Sequence, residues 1–591
     1  MGGAPAHARR AAACRLTPTE ATCTLRPQHG SCVDLETPLP VGTKTSKTRP
    51  PTGADRSAAK PGATVPPKES WIEQTSSFVG FFIYLLILKS FFLPLFIIPT
   101  GSMAQTLYGE HAIHACPNCG VEYPVGWQQP PNWSWPVPYH PKVIQCPNCR
   151  FRQVYDFGRP GGLTRQGLEG AEILKEPLHP SSGDRIFVHG WLFDSPFAGL
   201  DGLGPARWDV VVFKVPTDGQ TNYIKRLIGL PNEKIELING DVFVDDQIAA
   251  KTPDAQRSLW FPYYDHDYRP AGPSRLAGYF PRWVPLEASG PWSDLKSRVV
   301  HFNGLHSGRA EIQFATNDPN AATEPGLVQD IYSYNDPEMP PNPVTDVRLS
   351  AAVEITAADG GYVELSTTKG DRTFYARLSA DGSVSVQHQS GLEAERETWG
   401  TTAPVQRSGP IRLTLSHVDG TVHVELDGRT AFESSRTQYE ITPATARRLA
   451  RTDTRPILRI AAENIQVTLR HLLIERDVYY TSDVHGGAPG REPEAYGVEG
   501  HPRQLGPHDY FVLGDNSPSS QDARYAFAGP GQDPVGPHLQ AALAHDEFHL
   551  GTVPADQMIG RAFFVYWPGC LPPGVRGFSL LPDFGRVRWI R

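Results

Sequence analysis

A serine and a lysine in the sequence stand in contexts that suit nucleophilic catalysis. Ser102 lies in Pro99-Thr-Gly-Ser-Met103, where the glycine permits a tight turn that brings backbone amides close to a substrate carbonyl. Lys225 lies in Tyr223-Ile-Lys-Arg-Leu-Ile-Gly-Leu-Pro231, whose apolar residues would desolvate its side chain. A serine hydroxyl is a weak nucleophile that needs an adjacent base, and lysine can be that base only when it is neutral. The two segments therefore indicate serine–lysine chemistry.

Three further segments accompany them in a fixed order along the chain. They are Gly183-Asp-Arg-Ile-Phe-Val188, Gly514-Asp-Asn-Ser-Pro-Ser-Ser-Gln-Asp-Ala-Arg524 and Gly560-Arg-Ala-Phe-Phe-Val-Tyr-Trp567. Each one alone has an ordinary explanation as a turn, a loop or a solvated strand face. The whole set in this order is much more specific than any member.

The set resembles bacterial type I signal peptidases (leader peptidases, peptidase family S26) over roughly residues 78–115, 183–245 and 506–591. The resemblance implies a mainly β fold, with a coiled β-sheet catalytic domain behind an N-terminal transmembrane helix. It also implies a membrane-bound serine endopeptidase that needs no cofactor for catalysis. Such an enzyme removes N-terminal signal peptides from exported preproteins, cleaving after small residues at −1 and −3.

The same resemblance implies roles for individual residues. Ser102 would be the nucleophile and Lys225 the general base, and the Thr100 hydroxyl would join the Ser102 amide in the oxyanion hole. Ser520 would orient Lys225. The supporting ion pairs would be Arg226 with Asp515 and Asp522 with Arg524. The substrate-binding residues would be Ile98, Met103, Leu107, Asn222, Tyr223 and Ile224, with Asn222–Ile224 binding the substrate backbone by β-augmentation.

Two cysteine pairs lie outside this resemblance. Cys116-Pro-Asn-Cys119 and Cys146-Pro-Asn-Cys149 enclose 26 residues, a spacing typical of a zinc ribbon. The sequence predicts a structural Zn²⁺ held by Cys116, Cys119, Cys146 and Cys149, and leaves two disulfides as the alternative. Four thiolates would close the coordination sphere, which argues against a catalytic metal.

An apolar run, residues 78–98, precedes the nucleophile and is long enough to cross a bilayer as a helix. Ten Lys or Arg residues precede it and none occurs from Ser90 to Pro141. This asymmetry predicts a single-pass protein of the bacterial cytoplasmic (inner) membrane, with a cytoplasmic N-terminus and an extracytoplasmic catalytic domain. The alternative is a buried strand and helix in a soluble core.

The elements that must position the chemistry are mostly strands. Runs such as Asp209-Val-Val-Val-Phe-Lys-Val215 and the hairpin signal Asn239-Gly-Asp241 mark the first block, and a second strand-rich block follows. Regular strand spacing in that second block predicts an inserted antiparallel sandwich over about 292–474, similar to laminin-G or concanavalin-like modules. The predicted organisation is a disordered cytoplasmic tail (1–70), a transmembrane segment (71–98), three catalytic parts (99–115, 151–250 and 476–591), a zinc-ribbon-like insert (116–150) and an inserted β-rich domain (251–475).

Composition limits the partners. The 591 residues carry a net charge of −8, which argues against a nucleic-acid surface. The predicted partners are signal peptides of preproteins, the lipid bilayer and the secretion machinery. Two alternatives stay open: a related serine–lysine protease for another client, and a surface carbohydrate- or protein-binding protein acting through the inserted sandwich.

Overall fold

The structure is a computed structural model of the chain. It describes residues 71–87, 89, 93–126, 143–154, 171–173, 178, 181–190, 204–270, 281–287, 290–315, 328–335, 341–391, 393–405, 409–451, 456–482, 495–529, 532–569 and 582–590. The predicted disordered tail over 1–70 lies outside the described residues.

The described chain is mainly β, which confirms that part of the fold prediction. The helices are α1 (Trp71–Ile87), α2 (Pro253–Leu259), α3 (Pro443–Arg451) and α4 (Gln540–Ala544). The strands are β1 (Leu95–Ile97), β2 (His111–Ala115), β3 (Glu122–Gly126), β4 (Val143–Gln145), β5 (Arg152–Val154), β6 (Ala171–Ile173), β7 (Arg185–His189), β8 (Val210–Lys214), β9 (Asn222–Gly229), β10 (Lys234–Ile238), β11 (Asp241–Val244), β12 (Gln247–Ile248), β13 (Phe261–Asp265), β14 (Trp283–Pro285), β15 (Trp292–Ser293), β16 (Val300–Gly304), β17 (Ala310–Phe314), β18 (Val347–Lys369), β19 (Arg372–Ser379), β20 (Val384–Ser390), β21 (Glu397–Thr401), β22 (Ile411–Val418), β23 (Thr421–Leu426), β24 (Arg429–Glu433), β25 (Leu458–Arg476), β26 (Arg503–Gln504), β27 (Asp509–Leu513), β28 (Val553–Pro554), β29 (Met558–Trp567) and β30 (Arg588–Trp589).

The prediction of a transmembrane segment over 71–98 is wrong, and the single-pass placement in the bacterial cytoplasmic membrane falls with it. Among the described residues, no helix is both long and apolar enough to span a membrane. The apolar run is divided between two elements. Helix α1 ends after 17 residues. The later part forms β1, in which Phe96 pairs with Ile186 of β7.

An 8-stranded sheet brings together strands from distant parts of the sequence. Its order is β1-β7-β29-β8-β9-β27-β28, with β30 paired to β29. Strand β9 is central: it pairs with β8 from Asn222 to Arg226 and with β27 from Arg226 to Gly229. The Val-Val-Val-Phe run of β8 is buried, as expected for β-branched and aromatic residues inside a sheet.

A smaller sheet of four strands follows directly, in the order β12-β11-β10-β26. Its β10–β11 hairpin turns at Asn239 and Gly240, which both have positive φ angles of 53° and 86°. These are the residue types that a tight two-residue hairpin turn favours. The apolar residues of β10 and β11 pack on both large sheets, since Leu237 belongs to the core of the 8-stranded sheet and Phe243 to that of the next block.

The 13-stranded block, residues 261–476, is one hydrogen-bonded network containing β13 to β25. Its two longest strands, β18 and β25, have 23 and 19 residues and pair with each other through three register shifts. The chain enters and leaves the block side by side, because Phe261 of β13 pairs with Arg476 of β25. The sandwich predicted over 292–474 stays a prediction, since the described strands form one continuous sheet.

A small cysteine-containing unit lies between β1 and β7 in sequence. It consists of the β2–β3 hairpin and a three-stranded sheet in the order β4-β5-β6. The four cysteines are buried in its core with Tyr123 and Phe151. Strands β5 and β6 therefore accompany the cysteines, although the sequence assigned residues 151–250 to the catalytic domain.

The core of the 13-stranded block predicts a clear contrast between two leucines. Leu365 is completely buried in β18, whereas Leu286 is 49% exposed. Leu365→Ala should lower the free energy of unfolding by about 2–5 kcal/mol through lost burial and a cavity. The same change at Leu286 should alter it by about 0.5 kcal/mol or less. Urea unfolding of the purified variants measures both, and equal midpoints would contradict the assignment of the core.

Candidate active site

The structure brings the predicted nucleophile and base into direct contact. The Nζ atom of Lys225 donates to the Oγ atom of Ser102 over 2.6 Å. Ser102 lies in a turn held by backbone bonds from Ala104 to Gly101 (3.0 Å) and from Leu107 to Met103 (2.8 Å). Lys225 points at this turn from the centre of β9 and is 3% exposed.

The surroundings of Lys225 favour its neutral form. Burial lowers the pKa of Lys225 from 10.5 to about 8. The Asp522 carboxylate works against this shift, Arg524 works with it, and Asp515 again opposes it. Because the nearby charges offset one another, desolvation decides the direction. At neutral pH a usable fraction of the amine is therefore deprotonated.

The neighbouring residue Arg226 forms a fully buried ion pair with Asp515. The Nε atom donates to Oδ1 over 2.8 Å and one terminal nitrogen donates to Oδ2 over 2.6 Å, with both side chains 0% exposed. Burial opposes the charged guanidinium, but the facing Asp515 carboxylate raises the pKa of Arg226 above its usual value. The Thr106 hydroxyl also donates to Asp515 over 2.6 Å. One carboxylate thus joins β9 to the nucleophile turn.

The loop after β27 contacts the backbone of the nucleophile turn. The Asn516 amide donates to the Ser102 carbonyl over 3.1 Å, and the Asn516 side chain donates to the Gly101 carbonyl over 3.0 Å. Gly514 permits this approach, since a Cβ atom there would lie 2.5 Å from the Ser102 carbonyl oxygen. The loop therefore fixes the two carbonyls that precede and follow the Cα atom of Ser102.

The second predicted ion pair stabilises that loop internally. Arg524 donates through Nε and a terminal nitrogen to the two Asp522 oxygens, over 2.9 and 2.8 Å. Both side chains are buried. Asp522 also accepts from the Gly514 amide over 3.1 Å, and Arg524 donates to the Thr481 carbonyl over 2.8 Å. The pair connects the two ends of the loop and attaches it to the chain that leaves β25.

Two predicted site residues are not engaged in this way. The Ser520 hydroxyl is buried and makes no hydrogen bond with any described residue, so it does not bond Lys225 in this conformation. Its oxygen is nevertheless close to the loop backbone, because a Cβ at Gly514 would lie 2.2 Å from it. Thr100, the predicted oxyanion residue, is exposed two residues before Ser102.

Most of the predicted substrate-binding side chains meet in one apolar cluster. Ile98, Met103 and Leu107 are buried together, and Ile224 packs against them. Met103 and Leu107 are 0% exposed, so they lie in the interior of this apolar cluster and not at its surface. Tyr223 packs instead with a separate cluster that contains Val211 and Phe213 of β8.

The predicted backbone-binding strand has one edge without a partner among the described strands. On one side, Asn222, Tyr223 and Ile224 pair with Lys214, Phe213 and Val212 of β8. On the other side, β27 pairs with β9 only from Arg226 to Gly229. The edge of Asn222–Ile224 beside Lys225 is therefore available for pairing with an extended peptide.

Five residues of the site were not predicted from the sequence. Asn516 stands inside a recognised segment, and its loop position could have identified it as a backbone donor. Thr106 follows the nucleophile closely but carries no distinctive spacing. Tyr332, Tyr334 and Asn335 come from the 13-stranded block, and no sequence signal links them to Ser102.

Comparison with known proteins supports the resemblance to a peptidase family. Residues 181–268 and 463–567 match the family model described as signal peptidase, peptidase S26. The match supports the S26 peptidase family. Its two segments flank most of the 13-stranded block and contain Lys225, Arg226, Asp515 and Asp522. An S26 relationship supports a hydrolase of the peptidase class.

Curated relatives give the same indication over a shorter stretch. Proteins named signal peptidase I from Rickettsia typhi, Rickettsia prowazekii and Rickettsia rickettsii are each 48% identical to this chain over 48 residues. That stretch is 8% of this chain and 18% of each relative. The aligned part thus spans less than a fifth of the length of these relatives.

Solved structures resemble the chain only remotely. The carbohydrate-binding module CBM66 from Bacillus subtilis has a TM-score of 0.21 and 10% identity, covering 33% of this chain and 95% of that one. Galectin LEC-6 from Caenorhabditis elegans has a TM-score of 0.16 and 14% identity, covering 22% and 82%. Likenesses of this level carry no argument about function.

The four cysteines of the small unit lie outside the segments matched to the S26 family, and their geometry suits a metal. Their sulfur atoms all lie within 4.8 Å of one another. Cys116 and Cys149 are 3.6 Å apart, as are Cys119 and Cys146, and none of the four is in a disulfide. Tetrahedral Zn–S bonds of about 2.3 Å require sulfur separations of about 3.8 Å. The donor set therefore fits structural zinc.

A second cluster of potential metal ligands, made of three carboxylates, already contains two lysine ammonium groups. Asp241, Asp346 and Asp419 place carboxylate oxygens within 4.8 Å of one another in the buried interface between β11 and the 13-stranded block. Lys369 donates to Asp346 and lies 3.6 Å from Asp241, while Lys251 lies 2.7 Å from Asp419. The ammonium groups supply the positive charge, so this is a buried ion-pair network.

The cysteine geometry predicts about one zinc per chain, measured by metal analysis of the purified protein. Changing Cys116 and Cys146 together to Ser should remove the zinc and lower the unfolding temperature, because two of four ligands are lost. Ser102→Ala serves as the control and should keep its zinc. Stoichiometric disulfides with no bound metal would contradict the prediction.

Proposed function

We propose that the protein is a serine endopeptidase that removes N-terminal signal peptides from exported preproteins, using Ser102 as nucleophile and Lys225 as general base. The observation that carries this proposal is the 2.6 Å contact between the buried Lys225 amine and the Ser102 hydroxyl. The S26 family match supports the same reaction class.

The reaction would begin with proton transfer from Ser102 to neutral Lys225. The serine oxygen attacks the scissile carbonyl carbon, and the carbonyl electrons move to its oxygen. When the tetrahedral intermediate collapses, the carbon–nitrogen bond breaks and the ammonium of Lys225 gives its proton to the leaving amine. Lys225 then takes a proton from water, and the resulting hydroxide attacks the carbonyl carbon of the acyl-enzyme. When this second intermediate collapses, the bond between that carbon and the serine oxygen breaks, the Lys225 ammonium returns its proton to Ser102, and the signal peptide leaves with a free carboxylate.

The oxyanion of the intermediate needs donors that are already in place. The Ser102 amide and the Thr100 hydroxyl are the proposed pair, both carried on the turn that Asn516 holds through the Gly101 and Ser102 carbonyls. The Ser520 hydroxyl, which has no partner among the described residues, is proposed to bond Lys225 when substrate displaces water from the site.

The substrate is proposed to lie along the free edge of Asn222–Ile224 as an added strand. Side chains of an extended peptide alternate, so the residues at −1 and −3 would face the same wall. That wall is the cluster of Ile98, Met103, Leu107 and Ile224, whose burial leaves little depth for a large side chain. The proposed preference for small residues at both positions follows from this shallow wall.

Ser102→Ala should abolish cleavage of a preprotein that carries alanine at −1 and −3. We expect the rate to fall by about 10³-fold or more, because binding and the oxyanion donors alone remain. The measurement is incubation of the purified protein with the preprotein, followed by mass determination of the cut site.

Ser350→Ala is the matched control, since it removes a hydroxyl that bonds Thr414 inside the 13-stranded block. It should cleave at the wild-type rate. A Ser102→Ala protein with wild-type activity would refute the nucleophile assignment. A folded wild-type protein that cuts other proteins but leaves signal peptides intact would show a related protease with a different client.

The lowered pKa of Lys225 predicts the pH profile. Only the neutral amine accepts the serine proton, so kcat/KM should rise as pH increases and level off above about 8. Lys225→Arg keeps a positive charge that cannot dissociate in this range and should be inactive. Lys234→Arg, the same change at a surface ion pair with Asp246, should keep full activity.

Lys225→Met separates catalysis from folding. Burial places the pKa of Lys225 in the folded protein below its value in the unfolded chain, so protonation of the buried amine destabilises the fold. This penalty is complete below pH 8 and is lost as pH rises from about 8 to 10.5. Replacing it with methionine should abolish activity while keeping or raising the unfolding temperature at pH 7. Efficient cleavage by Lys225→Arg would show that another group takes the proton.

A further inference from the structure

A short segment of the 13-stranded block reaches the active site. This segment, residues 328–335 and here called the strap, lies between β17 and β18 in sequence. Its base is fixed to the chain that enters β18: the Val344 amide donates to the Val328 carbonyl over 2.8 Å, and Asp330 bonds Asn342 through backbone and side chain. The strap is therefore anchored in the block, outside the segments matched to the S26 family.

Tyr332 connects the strap to the loop that carries Asp515. It is 5% exposed and belongs to the core of the 8-stranded sheet. Its hydroxyl donates to the Asp515 carbonyl over 2.9 Å. The guanidinium of Arg476, the last residue of β25, lies 4.5 Å from the centre of its ring. Tyr332 thus connects the end of the block to the loop that carries Asp515.

Asn335 forms a reciprocal amide pair with Asn516. The Nδ2 atom of Asn335 donates to Oδ1 of Asn516 over 2.7 Å, and Nδ2 of Asn516 donates to Oδ1 of Asn335 over 2.8 Å. The second proton of the Asn516 amide is donated to the Gly101 carbonyl over 3.0 Å. The pair fixes the plane of the Asn516 carboxamide, and that plane sets the position of the Gly101 carbonyl.

Tyr334 covers the other side of the nucleophile turn. Its ring occupies the space beside Gly101, where a Cβ atom would lie 1.9 Å from a ring carbon. The ring stacks on Tyr108 with centroids 6.0 Å apart, and its hydroxyl donates to the Glu110 carbonyl over 2.7 Å. It is 6% exposed. The Tyr334 ring therefore packs against one side of the turn at Gly101, and Asn335 acts on the Gly101 carbonyl through Asn516.

We infer that the strap is a positioning device for Ser102 and that Asn335 is its main positioning residue. Without Asn335 the Asn516 carboxamide can rotate, and the Gly101–Ser102 peptide loses the donor that fixes it. Small displacements of a reacting group lower the rate strongly while leaving substrate binding intact. For its activity readout this inference rests on the proposed function.

The kinetic test compares Asn335→Ala with Asn148→Ala. Asn148 is the matched control, because its buried amide also joins two segments, bonding Asp265 and Tyr268 away from Ser102. Asn335→Ala should lower kcat for preprotein cleavage about tenfold, with KM changed less than about twofold. Asn148→Ala should keep the wild-type kcat.

A hydroxyl pair tests the second contact in the same way. Tyr334→Phe removes the bond to Glu110, and Tyr375→Phe removes a matching bond to Gln389 elsewhere in the block. Tyr334→Phe should lower kcat, and Tyr375→Phe should not. Both changes keep the ring, so the variants should fold even where Asn335→Ala proves unstable.

Amide hydrogen exchange tests the positioning role of the strap without a measurement of cleavage activity. Peptides covering residues 99–107 should exchange faster in Asn335→Ala than in wild type and should be unchanged in Asn148→Ala. If wild type cleaves no preprotein, the proposed function fails while this exchange difference still supports the strap. Wild-type exchange in Asn335→Ala, together with wild-type kcat wherever cleavage occurs, would overturn the inference.

Discussion

The buried pair of Arg226 and Asp515 connects the parts of the chain that build the site. A charge without solvent needs a partner, so the guanidinium on β9 fixes the position of the loop after β27. The same carboxylate accepts from Thr106, which brings the nucleophile turn to Lys225. The pair also leaves little net charge beside the lysine. Burial then decides the pKa of Lys225, which it lowers to about 8.

The 13-stranded block lies between β9 and β27 in sequence, although these two strands are neighbours in the 8-stranded sheet. The first and last strands of the 13-stranded block pair with each other, at Phe261 and Arg476. The chain can therefore leave the 8-stranded sheet after β9 and return to it at β27 while those two strands still pair. The 13-stranded block and the 8-stranded sheet contact each other through buried side chains. Tyr332 packs in the core of the 8-stranded sheet, and Asn335 bonds Asn516 in the loop after β27. The block thus contributes residues to the site.

Sequence patterns predicted those parts of the site that depend on residue type in a short segment. Ser102, Lys225 and Arg226 each stand in such a segment, and strand-forming runs indicated a mainly β fold. The apolar run before Ser102 misled, because composition alone does not show where Ile87 ends a helix and Leu95 begins a strand. The strap was beyond prediction: Asn335 meets Asn516 across 181 positions, and one amide pair leaves no periodic signal.

The separation of the ion-pair partners along the chain has a consequence for biosynthesis. Arg226 and Asp515 are 289 positions apart. At about 5–20 residues per second, a ribosome takes roughly 15–60 s to pass from one to the other. Throughout that interval the arginine lacks its carboxylate and the Ser102 turn lacks the Asn516 loop. The contacts that position Ser102 and Lys225 are consequently completed only late in synthesis, after Asp515 and Asn516 have been added to the chain.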